Sequence, residues 1–333
     1  MPARLSLNEI EELSFRTLTR AGADERQAGP VACSIRRAEA DGVRSHGLLY
    51  LPIYAAHLRS GKVDGRARPT VARPRAGAVA VDAAHGFAHP AIAAGLPVLA
   101  QAAREGGVAA MTVHRSYNCG VLGHHAEDLA REGLLALCFT HAPASIAPVG
   151  GRTPVVGTNP VALAVPDGAG GVGFVLDQSA SVVAKSEVML RARRGEPLEE
   201  GWALDAAGQP TTDPQAALAG SMRPAGGAKG FGLGLVAEVL ASCLAGAVSS
   251  REASPFSGAD PVPPATGQCL IAFDPGAFAS GFSARISALV TAISDQAGAR
   301  LPGSRRQQAR QRTLSEGVAV EQELLKRIRQ ECQ

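Results

Sequence analysis

A serine and a histidine stand side by side at Ser45-His46, directly before the apolar run "GLLYLPIYAAHLRSG". A serine here is typical of a helix start, because its hydroxyl accepts a hydrogen bond from a free backbone N–H. Capping does not require a histidine, whose imidazole gains and loses a proton near neutral pH. The pair is therefore either a capped helix start or a group that exchanges a proton with a bound molecule.

The densest glycine run, "GGAKGFGLG" at residues 226–234, is a second place where chemistry is possible. Glycines at the start of a helix leave backbone N–H groups free to meet an anion, and Lys229 adds a cation beside them. The run lies late in the chain and lacks the G-x-G-x-x-G order of a Rossmann site, and no P-loop pattern occurs. It indicates either phosphate binding or a tight turn with close helix packing.

The elements that would position these residues mix helices and strands throughout, which favours the α/β class. The first 60 residues have the pattern of three helices, the third beginning at the Ser-His pair. Alternating or continuous apolar runs then predict strands, among them "VAAMTVH", "LLALCFTHA" and "GVGFVLDQSA". The segment "GWALDAAGQPTTDPQAAL" is typical of a turn-rich loop, and the basic segment "GARLPGSRRQQARQR" is interpreted as a link between the last two helices.

Composition limits the classes of partner. The 33 basic and 30 acidic residues leave a net charge of only +3, which argues against nucleic-acid binding. No secretion signal or membrane-length apolar run is visible, so we expect a cytoplasmic protein without a membrane partner. No C-x-x-C pair occurs, which argues against a zinc site or a redox dithiol. The six cysteines are Cys33, Cys119, Cys138, Cys243, Cys269 and Cys332.

Seven motifs occur in one order along nearly the whole chain: "ADGVRSHG", "GFAHPAI", "VGTNPVALAVP", "LDQSAS", "EGWALDAAGQPTTDP", "GGAKGFGLGL" and "RLPGSRR". Together they resemble the malate/L-lactate dehydrogenase family of NAD(P)-dependent oxidoreductases. The resemblance implies a cofactor-binding fold unrelated to Rossmann, a bound NADPH (NADH being possible) and a homodimer. It also implies a helical region at residues 1–68 that packs with the C-terminal helices at 307–333, and an α/β cofactor and substrate core at 69–306.

The same resemblance assigns roles to individual residues. Ser45 and His46 would supply a proton to the substrate heteroatom, with Asp177 as a partner of the histidine or of a substrate nitrogen. The implied substrate contacts are Tyr50, Thr158 and Arg44. The implied cofactor contacts are Asn118, Cys119, Gly120, Ser179, Ser181, Lys229, Gly230, Arg300, Gly303, Arg305 and Arg306.

Two positions depart from the family pattern. Tyr50 stands where many members have an arginine that grips the substrate carboxylate, and Asn118 stands where many have a loop histidine. Arg44, Arg152 or Lys185 could replace the arginine, and the sequence does not choose among them. His124 and His125 are interpreted as structural or adjacent to the cofactor, not as metal ligands, because the helical spacing of a two-histidine site is absent.

These features favour an NAD(P)H-dependent reductase of a cyclic 2-imino acid. The reaction would convert Δ1-pyrroline-2-carboxylate to L-proline, or Δ1-piperideine-2-carboxylate to L-pipecolate. The neutral residues Tyr50, Asn118 and Cys119 fit a small ring with one carboxylate, whereas a dianion asks for more fixed cations. The alternatives are a dehydrogenase of a 2-hydroxy acid (malate, lactate or sulfolactate) that acts on a keto acid in reverse, and a scaffold that kept the fold without catalysis.

Overall fold

The computed structural model describes residues 3–331, so Cys332 and the outermost ends of the two predicted terminal regions lie outside the described residues. Its centre is a seven-stranded mixed sheet in the order β2-β3-β4-β11-β5-β6-β7. Neighbours in this sheet are antiparallel except β3 and β4, which are parallel. Its strands are β2 (Thr70–Arg75), β3 (Ala78–Asp82), β4 (Val108–Ser116), β5 (Leu135–Thr140), β6 (Val161–Pro166), β7 (Val172–Gln178) and β11 (Thr266–Phe273). The predicted α/β class is confirmed.

Helices cover both faces of the sheet. Strand β11 shows this directly, because alternate side chains of a strand point to opposite faces. Leu270 and Ala272 pack with helices α4 (Ala88–Gly106) and α5 (Leu122–Arg131). On the other face, Cys269 packs with Ala237 of α8 (Ala228–Glu238) and with Ala241 of the π-helical turn that continues this helix at Val239–Cys243. The sheet is therefore buried on both sides, which fixes the strand ends that carry polar residues.

The two ends of the chain form a second core. Strand β1 (Ala3–Leu5) pairs antiparallel with β12 (Val318–Val320). Around this pair lie α1 (Leu7–Arg20), α2 (Glu25–Ala40), α3 (Leu51–Ser60) and α11 (Gln322–Glu331). Ile10, Tyr54 and Ile328, from three of these helices, are buried in one apolar cluster. The first described residues thus form a strand and not a helix, because the C-terminal strand completes their hydrogen bonds.

The predicted start of the third helix is wrong. Ser45 and His46 lie in a separate single turn of 3-10 helix, and α3 begins only at Leu51. Gly47 interrupts the helix, with backbone angles φ −96° and ψ −142°. Pro52 lies in the first turn of α3, where a missing N–H costs nothing because that group has no partner inside the helix.

The predicted basic link near the C-terminus is also wrong. It contains α10 (Ser304–Glu316), a helix of 13 residues that follows Gly303. The helix contains no glycine or proline, and Arg, Gln, Ala and Leu favour helix formation. Helix α9 (Phe282–Ser294) precedes it.

The turn-rich segment likewise contains regular structure. Three short strands, β8 (Ala203–Leu204), β9 (Pro210–Thr211) and β10 (Ser221–Met222), form a small sheet. Helix α7 (Pro214–Ala219) contacts this sheet and α6 (Lys185–Arg194). Between residues 3 and 331, no helix is both long enough and apolar enough to cross a membrane.

Candidate active site

The Ser-His pair is joined by a side-chain hydrogen bond, with Ser45 Oγ 3.0 Å from His46 Nδ1. Burial lowers the pKa of the His46 imidazole, because removal from water disfavours its charged form. The Asp177 carboxylate opposes this effect, while His124 and Arg306 add to it. The interactions indicate that His46 has a carboxylate, a second histidine and an arginine around it, which is a suitable environment for proton exchange.

Asp177 lies near the end of β7, with its side chain only 10% exposed. Its Oδ2 atom accepts hydrogen bonds from the backbone N–H of Gly123, at 3.0 Å, and from Nη1 of Arg306, at 2.9 Å. Gly123 belongs to the first turn of α5, where free N–H groups favour a negative charge. The sheet, α5 and α10 therefore meet at one carboxylate.

Helix α10 is held at this point by its own arginines. Arg310, one turn after Arg306, binds Asp41 at 2.7 Å and Glu127 at 2.7 Å. Burial alone would raise the pKa of Asp41, but hydrogen bonds from His124 and Arg310 outweigh it and lower the pKa to about 2. Gly303 lies against β7, where a Cβ would come within 2.8 Å of the Val175 carbonyl oxygen. Position 303 therefore needs glycine so that α10 can begin this close to the sheet.

A group of buried histidines lies beneath the Ser-His pair. His124 Nε2 contacts Asp41 Oδ2 at 3.0 Å, and His125 Nε2 contacts the Cys119 carbonyl oxygen at 2.9 Å. The ring of His89 lies 5.9 Å from that of His125, and neither of its nitrogens has a hydrogen-bond partner among the described residues. Burial holds the His89 pKa well below its usual range. His89 was not predicted as a site residue, although it lies inside the motif "GFAHPAI".

Within residues 3–331, no three His, Cys, Asp or Glu side chains are placed to hold a metal ion together.

Tyr50 belongs to an aromatic cluster. Its ring centroid lies 4.7 Å from that of Tyr54, and its hydroxyl donates to the Phe256 carbonyl oxygen at 3.4 Å. Burial raises the pKa of Tyr50 to about 12, so this position is neutral at physiological pH. The hydroxyl of Tyr54 donates to Asn118 Oδ1, at 3.0 Å, and so fixes the loop that begins at Asn118. Position 50 therefore offers a substrate no positive charge.

The structure brings together three segments that carry or adjoin predicted substrate and cofactor residues. The Ala180 N–H donates to the Thr158 carbonyl oxygen at 2.8 Å, and the Ala225 N–H donates to the Ala180 carbonyl oxygen at 2.8 Å. Ser179 and Ser181, on either side of Ala180, have their hydroxyl oxygens 3.0 Å apart. The loop at 157–160, the loop at 178–181 and the segment before α8 are therefore adjacent.

The glycine run itself has two explanations. Lys229 lies exposed in the first turn of α8, as an anion-binding cation would. Gly230, however, is buried, and a Cβ there would lie 2.0 Å from the Ala225 carbonyl oxygen. Close packing of α8 on its preceding loop therefore requires Gly230, whether or not an anion binds.

The remaining predicted site residues differ in exposure and in their hydrogen-bond partners. Arg44, Arg152, Arg300 and Arg305 are exposed. Cys119 and Gly120 lie in the loop over His89, and burial raises the pKa of the Cys119 thiol to about 12, which keeps it protonated. Lys185 is partly buried and donates to Ser145 Oγ at 2.9 Å, and burial lowers its pKa. Arg306 is partly buried, and its Nη1 atom is paired with Asp177.

The chain is similar in sequence and in fold to known oxidoreductases. A profile of the malate/L-lactate dehydrogenase family matches residues 5–329. The chain is 46% identical over 308 residues to (2R)-3-sulfolactate dehydrogenase (NADP(+)) of Chromohalobacter salexigens, covering 92% of this chain and 91% of that protein. It is 43% identical over 323 residues to Δ1-pyrroline-2-carboxylate reductase of Ancylobacter novellus, covering 96% and 94%. The crystal structure of Δ1-piperideine-2-carboxylate reductase from Pseudomonas syringae superposes with a TM-score of 0.93 at 35% identity, covering 99% of each chain.

Proposed function

The chain belongs to the malate/L-lactate dehydrogenase family, and from that premise we propose that it reduces a cyclic 2-imino acid with NAD(P)H. The product would be L-proline from Δ1-pyrroline-2-carboxylate, or L-pipecolate from Δ1-piperideine-2-carboxylate. Within the family the chain is an NAD(P)-dependent oxidoreductase. A scaffold without catalysis is not supported, because relatives that are 40–43% identical over at least 96% of this chain are named reductases.

The observation that carries the proposal is the arrangement of His46 and Asp177. A cyclic imino acid is reduced at C2, and its ring nitrogen must hold a proton when the hydride arrives. The Asp177 carboxylate favours a protonated ring nitrogen, because opposite charges attract strongly in a site partly removed from water. A 2-oxo acid gains less from this carboxylate, because its carbonyl carries no charge before attack.

The proposed mechanism gives Ser45 and His46 the role of proton donor. His46 is hydrogen-bonded to Ser45, which holds the ring in one orientation. Burial lowers the pKa of the imidazole, so the protonated ring gives up its proton readily. Thr158, in the loop next to residues 178–181, is proposed to contact the substrate, as the family resemblance implies.

The cofactor is proposed to lie along the loops at 118–120 and 178–181 and the first turn of α8. When bound, the nicotinamide supplies the hydride. The residues available to hold the cofactor are Asn118–Gly120, Ser179, Ser181 and the first turn of α8 with Lys229. The exposed cations Lys229, Arg300 and Arg305 suit a 2′-phosphate and support a preference for NADPH. The relative from Chromohalobacter salexigens is named as an NADP(+) enzyme, which points the same way.

Sulfolactate oxidation is the second candidate. It is supported by the 46% identity to a (2R)-3-sulfolactate dehydrogenase.

A homodimer is part of the proposal. Leu235, Val236, Val239 and Leu244 are 45–61% exposed along α8 and the turn that continues it. A contiguous apolar surface of this kind is typical of a subunit interface. The cytoplasmic location remains a prediction from the sequence.

A matched substrate panel tests the proposed reaction. NADPH and NADH oxidation would be followed with Δ1-pyrroline-2-carboxylate, Δ1-piperideine-2-carboxylate, pyruvate, oxaloacetate and 3-sulfopyruvate. We expect the highest kcat/KM with one of the two cyclic imino acids. A higher kcat/KM with 3-sulfopyruvate would establish the second candidate and refute the first.

A further inference from the structure

The substrate carboxylate needs a cation that position 50 does not supply. Tyr50 is neutral and is held in an aromatic cluster. Buried or half-buried carboxylates in proteins are paired, because an isolated charge removed from water is strongly unfavourable. An imino acid enzyme with Tyr50 therefore requires an arginine or lysine elsewhere, close to the proton donor.

Arg306 lies where such a cation is needed. Its charge acts on the pKa of His46, and its Nη1 atom binds Asp177. The other cations considered from the sequence lie in different surroundings: Arg44 and Arg152 are exposed, and Lys185 is bound to Ser145 next to the small sheet. Arg306 is thus the arginine that shares its surroundings with both proposed catalytic groups.

The guanidinium of Arg306 has donors to spare. Its Nη1 atom donates to Asp177, whereas Nε and Nη2 have no hydrogen-bond partner within residues 3–331. The side chain is 28% exposed and lines a small cavity with Gly123, His124 and Gly303. A planar guanidinium can bind two carboxylates along different edges, so the Asp177 contact leaves room for a second anion.

We propose that Arg306 binds the carboxylate of the substrate while it remains paired with Asp177. This inference rests on the proposed function. In a protonated cyclic 2-imino acid, the positive nitrogen and the carboxylate are both attached to C2, so the two opposite charges lie side by side. Asp177 and Arg306 present the complementary pair of charges, also side by side. The Arg306–Asp177 pair therefore selects a substrate with adjacent positive and negative groups.

Helix α10 is well suited to position this anchor. Arg310 lies one helical turn after Arg306, on the same side of the helix. Its bonds to Asp41 and Glu127, whose side chains are 1% and 8% exposed, fix the helix over the site. The motif "RLPGSRR" then has two functions: its exposed arginines face solvent or a cofactor phosphate, and Arg306 faces the substrate.

The test compares two inhibitors that differ only in the charge that Arg306 would bind. Pyrrole-2-carboxylate is a planar analogue of the substrate with the carboxylate, and pyrrole-2-carboxamide is its neutral counterpart. Inhibition constants would be measured for wild type, R306Q, R306K and the control R312Q, which removes an exposed arginine from the same helix. Dissociation constants for NADPH would be measured by fluorescence.

We expect R306Q to weaken inhibition by pyrrole-2-carboxylate roughly 10- to 100-fold, the effect of losing a hydrogen bond to a charged group. Inhibition by the carboxamide should change by only about 2- to 5-fold, because its neutral oxygen accepts a weaker hydrogen bond from the guanidinium than a carboxylate does. R306K, which keeps the charge, should retain part of the discrimination, and R312Q should match wild type.

Three results would overturn the inference. Equal weakening of both inhibitors in R306Q would show that Arg306 acts only by positioning Asp177. A weaker NADPH affinity with unchanged inhibition would assign Arg306 to the cofactor. An unchanged KM for every carboxylate substrate would exclude it from the substrate site. The substrate preference of the wild-type enzyme distinguishes failure of this inference from failure of the proposed function. If the wild type prefers a 2-oxo acid but R306Q raises the KM for that acid 10-fold or more, Arg306 still binds the substrate carboxylate and only the proposed substrate is wrong.

Discussion

Nη1 of Arg306 lies 2.9 Å from Oδ2 of Asp177, so an arginine of helix α10 is bonded to a carboxylate at the end of β7, an edge strand of the seven-stranded sheet. The same Asp177 oxygen accepts the Gly123 N–H at the start of α5. Both contacts hold the Asp177 carboxylate in one orientation, and its negative charge would attract a protonated imine. The pair thus connects the position of α10 with the electrostatics of the proton donor His46.

Replacement of His46 tests the proton donor. H46A should lower kcat by about 100-fold or more, the usual contribution of a positioned acid. The NADPH dissociation constant should stay near the wild-type value, because the proposed cofactor loops do not include residue 46. H114A is the matched control, since His114 lies on β4 next to Asp82, outside the site. Near-normal turnover in H46A would remove His46 from the mechanism.

The pH profile tests the charges around His46. Reduction consumes a proton, so kcat/KM should fall as pH rises through the His46 pKa of the free enzyme. Burial lowers that pKa, so the midpoint should lie below the ordinary value of 6.5. R306Q removes a nearby positive charge and should raise the midpoint, whereas D177N removes the negative charge and should lower it. Identical midpoints in all three enzymes would contradict the assignment.

Cofactor choice tests the exposed part of the motif "RLPGSRR". Arg305 is exposed, next to Arg306, and we expect it to meet the 2′-phosphate of NADPH. R305Q should lower kcat/KM for NADPH by about 10-fold, the loss of one charge-assisted contact, and leave that for NADH unchanged. R312Q provides the control for a general loss of charge. An equal decrease with both cofactors would place the contact elsewhere on the nucleotide.

The contribution of the Arg310 ion pairs with Asp41 and Glu127 can be measured as a change in the free energy of unfolding. R310Q removes the cation that Asp41 and Glu127 share, while His124 still contacts Asp41 and Arg131 still contacts Glu127. The free energy of unfolding should therefore fall by about 2 kcal/mol, the effect of losing hydrogen bonds to charged groups. Urea denaturation at neutral pH, compared with R312Q, measures the difference. If R310Q and R312Q unfold at the same urea concentration, the Arg310 ion pairs do not hold α10 in place.

Local patterns made part of this site predictable. The alternation of apolar residues identified the strands of the sheet, and Ser45 and His46 are neighbours in sequence, so their hydrogen bond requires no tertiary information. The strand pattern places Asp177 at a strand end, and the resemblance of the motif "LDQSAS" to the family pattern implies its role. These features depend on residues a few positions apart, where periodicity and spacing carry the signal.

The contacts of α10 could not be predicted in this way. Arg306 and Asp177 are 129 positions apart, and Arg310 and Asp41 are 269 apart. The helix "SRRQQARQRTLSE" carries almost no apolar residues and buries none completely. Without an apolar stripe, the usual helical signal is missing. Ionic bonds hold this helix in place of apolar packing, and a sequence does not reveal which distant carboxylates will be buried beside it.

The pairing of β1 with β12 sets an order of events during synthesis. Ala3–Leu5 leave the ribosome long before their partner Val318–Val320 and the preceding α10, because most of the described chain lies between them. Until then the N-terminal helices lack Val318, Val320, Leu325 and Ile328, which complete their apolar cluster. Nascent chains expose such unfinished surfaces and are prone to aggregate. The proposed substrate anchor on α10 arrives in the same late segment, so a chain released prematurely by the ribosome would be both unstable and unable to bind its substrate.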